Sequence, residues 1–147
     1  SFPPSIGVLI ENPAFIPEYS AFKNLKVLAS INSKVTDDEI KEVLEQVGLD
    51  PNEKKIYKKF SLGMKQKLGI ANAVMGSPKV VLLDEPINAI DENGVENVRK
   101  IIAKLKEKGS IIIVACHDKE ELEFLSDEIY TIFEGKIVDH RSLNENE

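Results

Sequence analysis

The 147-residue sequence contains a single cysteine, Cys116, and no apolar stretch of membrane-spanning length. One cysteine excludes an internal disulfide and any zinc site built from several cysteines, which fits a reducing compartment. The longest apolar runs, residues 80–83 and 111–116, are far shorter than the roughly 20 residues that cross a bilayer. Direct insertion of this chain into a membrane is therefore not expected.

Other signals are also missing. Residues 1–4 show no basic region followed by an apolar one, so no secretory signal is expected. They also lack an initiator methionine, which indicates a fragment. The net charge is −6, with Glu and Lys interspersed and no concentrated basic face, which argues against nucleic acid as the main partner. The remaining composition, 42% hydrophobic and 30% charged, is that of one ordinary globular domain.

The apolar run at residues 80–83 ends in two adjacent carboxylates, Asp84 and Glu85, followed by Pro86. Large apolar residues without polar alternation indicate a strand that is buried on both faces of a parallel sheet. Ligands bind at the carboxyl ends of such strands, where an acidic pair can hold Mg²⁺ and polarise a water. The alternative is an ordinary polar turn, which this run by itself favours.

Hydrophobic periodicity and capping residues predict alternating strands and helices along the chain. Strands are predicted at residues 6–10, 80–83, 110–115, 128–133 and 137–138, and helices at about 20–31, 36–47, 65–75, 91–108 and 120–126. The order is strand, helical insertion, strand, helix, strand, helix and hairpin. This order predicts an α/β fold with one helical subdomain.

Four motifs then occur in a fixed order: Phe-Ser-Leu-Gly-Met at residues 60–64, Val-Val-Leu-Leu-Asp-Glu-Pro at 80–86, Asn-Ala-Ile-Asp at 88–91, and His117. In order and spacing they resemble the signature loop, Walker B strand, D-loop and switch histidine of the ABC-transporter ATPases. Residues 6–19 look like the Q-loop region of that family, so the resemblance covers nearly the whole chain. In the residue pattern around these motifs the chain is most similar to the ATPase subunits of bacterial peptide-antibiotic exporters of the bacitracin-resistance type.

The resemblance implies a P-loop NTPase-like (RecA-like), mostly parallel sheet with an α-helical subdomain insertion, truncated at the N-terminus. It implies that residues 1–147 are the C-terminal part of one ATPase domain. Within it the helical subdomain would span residues 20–76, the catalytic core residues 1–19 and 77–141, and a polar tail residues 142–147.

The same resemblance assigns catalytic and metal-binding roles. Glu85 would orient and deprotonate the attacking water, and His117 would hydrogen-bond the γ-phosphate. Asp84 would act on Mg²⁺ through its water ligands. Glu11 stands where the family has its Q-loop glutamine and would lie at the nucleotide as a further candidate metal ligand, although an ionised carboxylate cannot donate a hydrogen bond. For His117 the alternative is an ordinary surface histidine.

Three further residues are implied in nucleotide binding across a dimer. Ser61 and Gly63 open a helix, whose free N–H groups suit the γ-phosphate of the ATP on the partner subunit. A chance helix cap is the alternative. Asp91 would cap its own helix and shape the contact between the two subunits. Leu62 and Met64 depart from the glycine and glutamine that are usual in the family, but backbone contacts at Ser61 and Gly63 could survive both changes.

The phosphate loop of the family, Gly-x-x-x-x-Gly-Lys-Ser/Thr, occurs nowhere in this sequence. In the family it precedes the Q-loop, so it and the aromatic residue that stacks on adenine would lie upstream of Ser1. The strand that leads into this loop would lie beside the histidine-bearing strand. Residues 111–114 are therefore expected to form an apolar edge with unpaired backbone groups, a kind of edge that natural proteins avoid exposing. We expect this edge to be covered by residues 128–133 sliding across to pair with it, by a strand of another chain or by a larger assembly. The isolated chain is expected to be inactive.

The function implied is that of an ATP- and Mg²⁺-dependent ATPase subunit, converting ATP and water to ADP and phosphate to power export of a substrate such as a peptide antibiotic. It would be cytoplasmic, peripheral on the inner face of the cell membrane, with a second ATPase protomer in a head-to-tail dimer and a membrane permease as partners. One alternative is a pairing partner that naturally lacks the phosphate loop. Another is a nucleic-acid-associated ATPase of the same family, which would need a coiled coil or a second ATPase unit that this sequence lacks.

Overall fold

The computed structural model describes residues 5–10, 14–31 and 34–143. The chain divides into two compact units, Ser1–Ala115 and Cys116–Glu147. In chain order the elements are β1 (Ile6–Leu9), α1 (Ala21–Ala29), α2 (Asp37–Val47), a 3₁₀ turn (Tyr57–Lys59), α3 (Leu62–Val74), β2 (Val80–Asp84), α4 (Glu92–Glu107), β3 (Ile111–Ala115), α5 (Lys119–Leu125), β4 (Glu128–Phe133) and β5 (Lys136–Ser142).

Three strands of the first unit form a parallel sheet in the order β1-β2-β3. The register places Leu9 opposite Leu83 and Asp84 opposite Ala115. Because the three strands run in the same direction, their carboxyl ends meet at one edge of the sheet. The sheet therefore brings the residues that follow β2 next to those that end β3.

Polar side chains begin three of the helices at the predicted places. Ser20, Thr36 and Asp91 each accept a hydrogen bond from the backbone N–H three residues further on. Gly48 ends α2 in the left-handed conformation, with a φ of 87°. The predicted boundaries are confirmed. They could be predicted because each depends on a cap whose partner is close in sequence.

Helix α3 begins earlier than the predicted residue 65. The Ser61 side chain accepts a hydrogen bond of 3.1 Å from the N–H of Met64, so Ser61 is the N-cap and the helix starts at Leu62. The predicted start was too late because a cap followed by leucine and glycine gives no apolar periodicity in the first turn. As a result Gly63 lies in the first turn of α3.

Helices α1 to α4 and one face of the sheet enclose the core of the first unit. The largest fully buried side chains there include Leu25, Ile40, Leu44, Val47, Leu68, Ile70 and Val81. Helix α3 approaches β1 most closely at Gly7, where an added Cβ would overlap the carbonyl oxygen of Ala73. This contact lets the backbones of helix and strand touch. None of the described helices combines the length and the apolar character needed to span a bilayer.

The opposite face of the sheet carries exposed apolar side chains. Ile111 and Ile113 are 63% and 57% exposed, and Ile6 and Val8 are each 37% exposed. The prediction of strands buried on both faces is therefore wrong for the described residues, in which β3 alternates between half-buried and exposed positions. A continuous apolar run is compatible with burial on both faces but does not determine what covers it. The expected edge is present, since β3 is the last strand of its sheet in the described chain. The alternative in which residues 128–133 pair with β3 is wrong for the described residues, because β4 pairs with β5 in a separate sheet.

The second unit contains α5 and an antiparallel hairpin. Strand β4 pairs with β5, with an irregularity of register between Thr131 and Ile132. The rings of Tyr130 and His140 stack with their centroids 4.2 Å apart, and a His140 ring nitrogen lies 3.3 Å from a Glu128 carboxylate oxygen. The predicted hairpin is confirmed, and β5 runs to Ser142, well beyond residue 138.

The first prediction concerns the contact between Gly7 and Ala73. We expect Gly7→Ala to lower the free energy of unfolding by about 2–3 kcal/mol, because the new Cβ must displace backbone and cannot be accommodated by a side-chain rotation. Urea denaturation followed by circular dichroism measures this change. The control is Gly109→Ala, which meets no atom within 4 Å and should cost only the strain of its positive φ, about 1 kcal/mol. Equal losses of unfolding free energy in the two variants would contradict the close contact between Gly7 and Ala73.

A second prediction concerns the edge strand β3. The exposed apolar side chains and unpaired backbone groups of β3 favour association between copies of the chain. We expect Ile113→Lys to reduce concentration-dependent association in sedimentation velocity, because a charge opposes edge-to-edge pairing. Ile31→Lys, at an 83% exposed isoleucine outside the sheet, is the matched control and should change nothing. The prediction fails if the parent chain is monomeric at every concentration tested.

Candidate functional site

Asp84 and Glu85 lie at the carboxyl end of β2. Asp84 is the last residue of the strand and its side chain is exposed, whereas Glu85 is half-buried. The N–H of Glu85 donates a hydrogen bond of 2.7 Å to the carbonyl oxygen of Ala115, which ends β3. The two carboxylates therefore follow the strand at the edge of the sheet where ligands bind in open α/β folds, as the sequence predicts.

The turn from Glu85 to Asp91 connects β2 to α4. Its first anchor is Pro86, which is fully buried. Its second anchor is Asp91, whose carboxylate accepts a hydrogen bond of 2.9 Å from the N–H of Gly94. An added Cβ at Gly94 would overlap the Ile90 side chain, so the first turn of α4 packs tightly against this connection. The capping role of Asp91 is confirmed, and its role across a dimer stays a prediction.

The first turn of α3 presents the other half of the predicted site. Ser61 is exposed, and Gly63 is half-buried one residue into the helix. The N–H groups of Leu62 and Gly63 belong to a first turn, in which N–H groups have no acceptor within the helix. Together with the positive end of the helix dipole, they make this turn suitable for an anion such as a phosphate.

Two contacts join α3 to the turn that follows β2. An added Cβ at Gly63 would lie 3.0 Å from the carbonyl oxygen of Ala89, so the helix and the turn are in close contact there. Further along α3, the side-chain nitrogen of Gln66 lies 3.0 Å from the Glu85 carbonyl oxygen and 3.1 Å from that of Pro86. The first turn of α3, with Ser61 and Gly63, therefore packs against the turn that carries Asp84, Glu85 and Asp91.

The loop before α1 is held by one buried side chain. The Asn24 amide, 2% exposed, accepts a hydrogen bond from the N–H of Ile16 at 2.7 Å and donates to the carbonyl oxygens of Ile16, Tyr19 and Ser20. Sequence reasoning missed Asn24, because a polar residue within an amphipathic helix is usually solvent-exposed. The loop is therefore rigidly connected to α1.

The same loop also contacts the segment that leads into Ser61. The N–H of Tyr57 donates to the carbonyl oxygen of Tyr19 at 2.9 Å, and the Tyr57 ring lies between those of Phe15 and Phe60, with centroids 5.3 and 5.6 Å away. Burial raises the pKa of the Tyr57 phenol, so this side chain stays neutral at physiological pH. The aromatic contacts thus fix the approach to the N-cap of α3.

Two further predicted site residues, His117 and Glu11, do not belong to the contacts described above. His117 is exposed and belongs to the second unit, two residues after Ala115 ends β3. Its predicted contact with the γ-phosphate stays a prediction. Glu11 lies outside the described residues, so its predicted roles at the nucleotide and the metal stay predictions too.

The described residues contain no group of three or more His, Cys, Asp or Glu side chains that could together hold a metal ion. A single exposed carboxylate such as Asp84 nevertheless fits Mg²⁺, which keeps several waters and is usually bound through one or two carboxylates and the phosphates of a substrate. The donor set is therefore compatible with a magnesium ion carried by a nucleotide. It does not form a protein cage for a permanently bound metal.

Comparison with known proteins identifies relatives. Over 137 residues the chain is 43% identical to the uncharacterized ABC transporter ATP-binding protein YybJ of Bacillus subtilis (strain 168), covering 93% of this chain and 63% of that protein. It is 37% identical over 141 residues to the bacitracin transport ATP-binding protein BcrA of Enterococcus faecalis, covering 95% of this chain and 46% of that protein. The chain thus spans less than two thirds of the length of these relatives.

Solved structures show the same fold. The dimeric structure of MJ0796, a bacterial ABC transporter cassette, matches with a TM-score of 0.85 and 22% identity, over 95% of this chain and 63% of that chain. The predicted α/β, P-loop NTPase-like fold is thereby confirmed. A family model described as ABC transporter matches residues 1–88. The resemblance inferred from the four motifs is therefore correct, and the chain belongs to the ABC transporter family.

Proposed function

We propose that this chain supplies part of the ATP-binding and ATP-hydrolysing subunit of an ABC transporter. The observation that carries the proposal is the turn after β2, which presents Asp84 and Glu85 at the carboxyl ends of parallel strands and packs against the first turn of α3. In this proposal the Glu85 carboxylate accepts a proton from the attacking water. Asp84 would hold Mg²⁺ through its water ligands, and the ion would neutralise charge on the phosphates.

The second part of the proposal concerns binding of ATP between two protomers. Ser61 and Gly63 would present the first turn of α3 to the γ-phosphate of ATP held by the opposite protomer. His117 and Glu11 would lie at the phosphates of the chain's own ATP, with Glu11 a further candidate metal ligand, and Asp91 would shape the contact between the protomers. Support comes from MJ0796, which has been solved as a dimer in a post-hydrolysis state bound to ADP and Pi, with a TM-score of 0.82.

The remaining parts of the proposal concern cargo, partners and location. A relative that carries the name bacitracin transport ATP-binding protein supports export of a peptide antibiotic as the process that ATP hydrolysis drives. The proposed partners are a second ATPase protomer in a head-to-tail dimer and a membrane permease. The proposed location is cytoplasmic, peripheral on the inner face of the cell membrane. In the same way the helical subdomain is proposed to span residues 20–76 and the catalytic core residues 1–19 and 77–141, with a polar tail at 142–147.

A second candidate function is the alternative in which the chain acts without a phosphate loop of its own. The sequence contains no Gly-x-x-x-x-Gly-Lys-Ser/Thr loop. A chain without this loop could act as a non-catalytic pairing partner, which presents Ser61 and Gly63 to ATP bound by a complete ATPase. The two candidates differ in whether Glu85 is needed for turnover.

We expect the chain by itself neither to bind ATP tightly nor to hydrolyse it. The backbone N–H groups and the lysine that hold the phosphates in this family are absent from the sequence. Isothermal titration calorimetry with Mg²⁺ and ATP, together with a phosphate-release assay, measures both properties. Micromolar affinity combined with turnover that disappears in Glu85→Ala would contradict this prediction.

The proposed function is tested in a chimera that joins this chain to the part of the B. subtilis relative that it does not cover. We expect ATP hydrolysis in the chimera, and a fall of about 10²–10⁴-fold in kcat for Glu85→Gln with ATP binding retained, because the amide keeps the shape of the side chain but cannot act as a base. Glu45→Gln, at an exposed glutamate on α2, is the matched control and should retain full activity. Near-parental turnover in Glu85→Gln would exclude Glu85 as the base.

A further inference from the structure

The turn that carries Glu85 adopts a backbone conformation that residues with a Cβ rarely adopt. The φ of Glu85 is 47°, within the left-handed region, and that of Ala89 in the same turn is 64°. Such a conformation costs free energy and persists only where the surrounding structure imposes it. The orientation of the Glu85 carboxylate therefore depends on the groups that fix the backbone on either side of Glu85.

Among the interactions described, three hydrogen-bonding groups contact the backbone of Glu85 and Pro86. The N–H of Glu85 donates to the Ala115 carbonyl oxygen, and the Glu85 carbonyl oxygen accepts from the N–H of Asn88 at 3.2 Å. The third group is the side chain of Gln66, which reaches from α3 to two successive carbonyl oxygens, those of Glu85 and Pro86. Because both partners are acceptors, only the nitrogen end of the Gln66 amide, with its two N–H donors, can satisfy them.

These two hydrogen bonds fix two consecutive peptide planes. The carbonyl of Glu85 belongs to the plane that follows its own Cα, and the carbonyl of Pro86 belongs to the next plane. Holding both carbonyl groups on one nitrogen restricts the ψ of Glu85 and the orientation of the Pro86 peptide. Pro86 restricts the turn further, because its side chain is fully buried and its backbone supplies no N–H.

We propose that Gln66 is a positioning residue for ATP hydrolysis, which acts through the backbone of Glu85 and Pro86 to hold the Glu85 carboxylate in its reactive orientation. The proposal rests on the proposed function, because it takes Glu85 as the general base. Gln66 does not contact the reacting atoms in this arrangement. Its effect on Glu85 passes through the backbone of the turn.

The position of Gln66 has a second consequence. It lies on the helix whose N-cap is Ser61 and whose first turn contains Gly63, and a Cβ added at Gly63 would lie 3.0 Å from the Ala89 carbonyl oxygen at the other end of the same turn. A displacement of α3 along its axis would therefore pull on the turn at both of its ends. In a head-to-tail dimer Ser61 faces one ATP and Glu85 the other, so Gln66 connects the two ATP sites through a single protomer.

The first experiment uses the chain itself and does not depend on activity. In Gln66→Met, which keeps the length of the side chain but removes the donors, we expect the backbone amide resonances of residues 85–89 to shift. We also expect hydrogen exchange of the Glu85 N–H to accelerate about tenfold, because the turn opens more often. The control is Gln46→Met on α2, where the amide contacts only the Glu42 side chain among the interactions described, at 3.4 Å, and no such change is expected.

The second experiment uses the chimera described above. We expect Gln66→Met and Gln66→Glu each to lower kcat about 10–100-fold with an unchanged KM for ATP, because a displaced base affects the chemical step and leaves the groups that bind ATP in place. Glutamate keeps the shape of glutamine and offers no donor when ionised. In a Glu85→Gln background Gln66→Met should have no further effect, since the base on which it acts has been removed.

Two results would overturn the proposal. The first is that the amide resonances and hydrogen-exchange rates of residues 85–89 are no more perturbed in Gln66→Met than in Gln46→Met. The other is a loss of kcat that adds fully to that of Glu85→Gln, which would mean that Gln66 acts elsewhere. If the chimera does not hydrolyse ATP at all, the proposed function has failed. The resonance and exchange measurements then decide by themselves whether Gln66 holds the turn.

Discussion

The close approach of α3 to β1 at Gly7 is the constraint on which the rest of the site depends. A side chain at this position would overlap the carbonyl oxygen of Ala73 and push the helix away from the sheet. Helix α3 runs back along the strands, so its distance from the sheet determines what its amino-terminal half can reach. At the observed distance the side chain of Gln66 hydrogen-bonds to the turn after β2.

The amino terminus of α3 is held from two independent directions. On one side lie the contacts of Gly63 and Gln66 with the turn after β2. On the other, the aromatic contacts of Tyr57 connect the residues just before Ser61 to the loop that Asn24 fixes. A helix end that is proposed to bind an anion has to be placed accurately, because the interaction of a helix dipole with charge falls off within the first turn. The two supports provide that placement.

How far the sequence predicts this structure depends on the distance between interacting residues. The caps at Thr36 and Asp91 could be predicted because each involves partners three residues apart, and the parallel sheet because its strands are separated by helices. Gln66 could not be predicted, since its partners lie 19 and 20 residues away on another element. The unpaired edge of β3 could be predicted from the missing phosphate-loop segment. The exposure of one face of β3 was missed, because an apolar run specifies that a strand can be buried but not which element buries it.

The positive φ of Glu85 places the proposed base in a strained turn, a place where functional residues are often found. A glutamate that continued β2 in extended conformation would project from one face of the sheet. The left-handed conformation of Glu85 instead redirects the chain at the point where the strand ends. The strain has to be balanced by contacts elsewhere, and most of those described here come from the backbone of β3 and from α3. The carboxylate proposed as the general base thus lies in a turn that β3 and α3 hold in place, and α3 begins at the loop proposed to contact the other ATP.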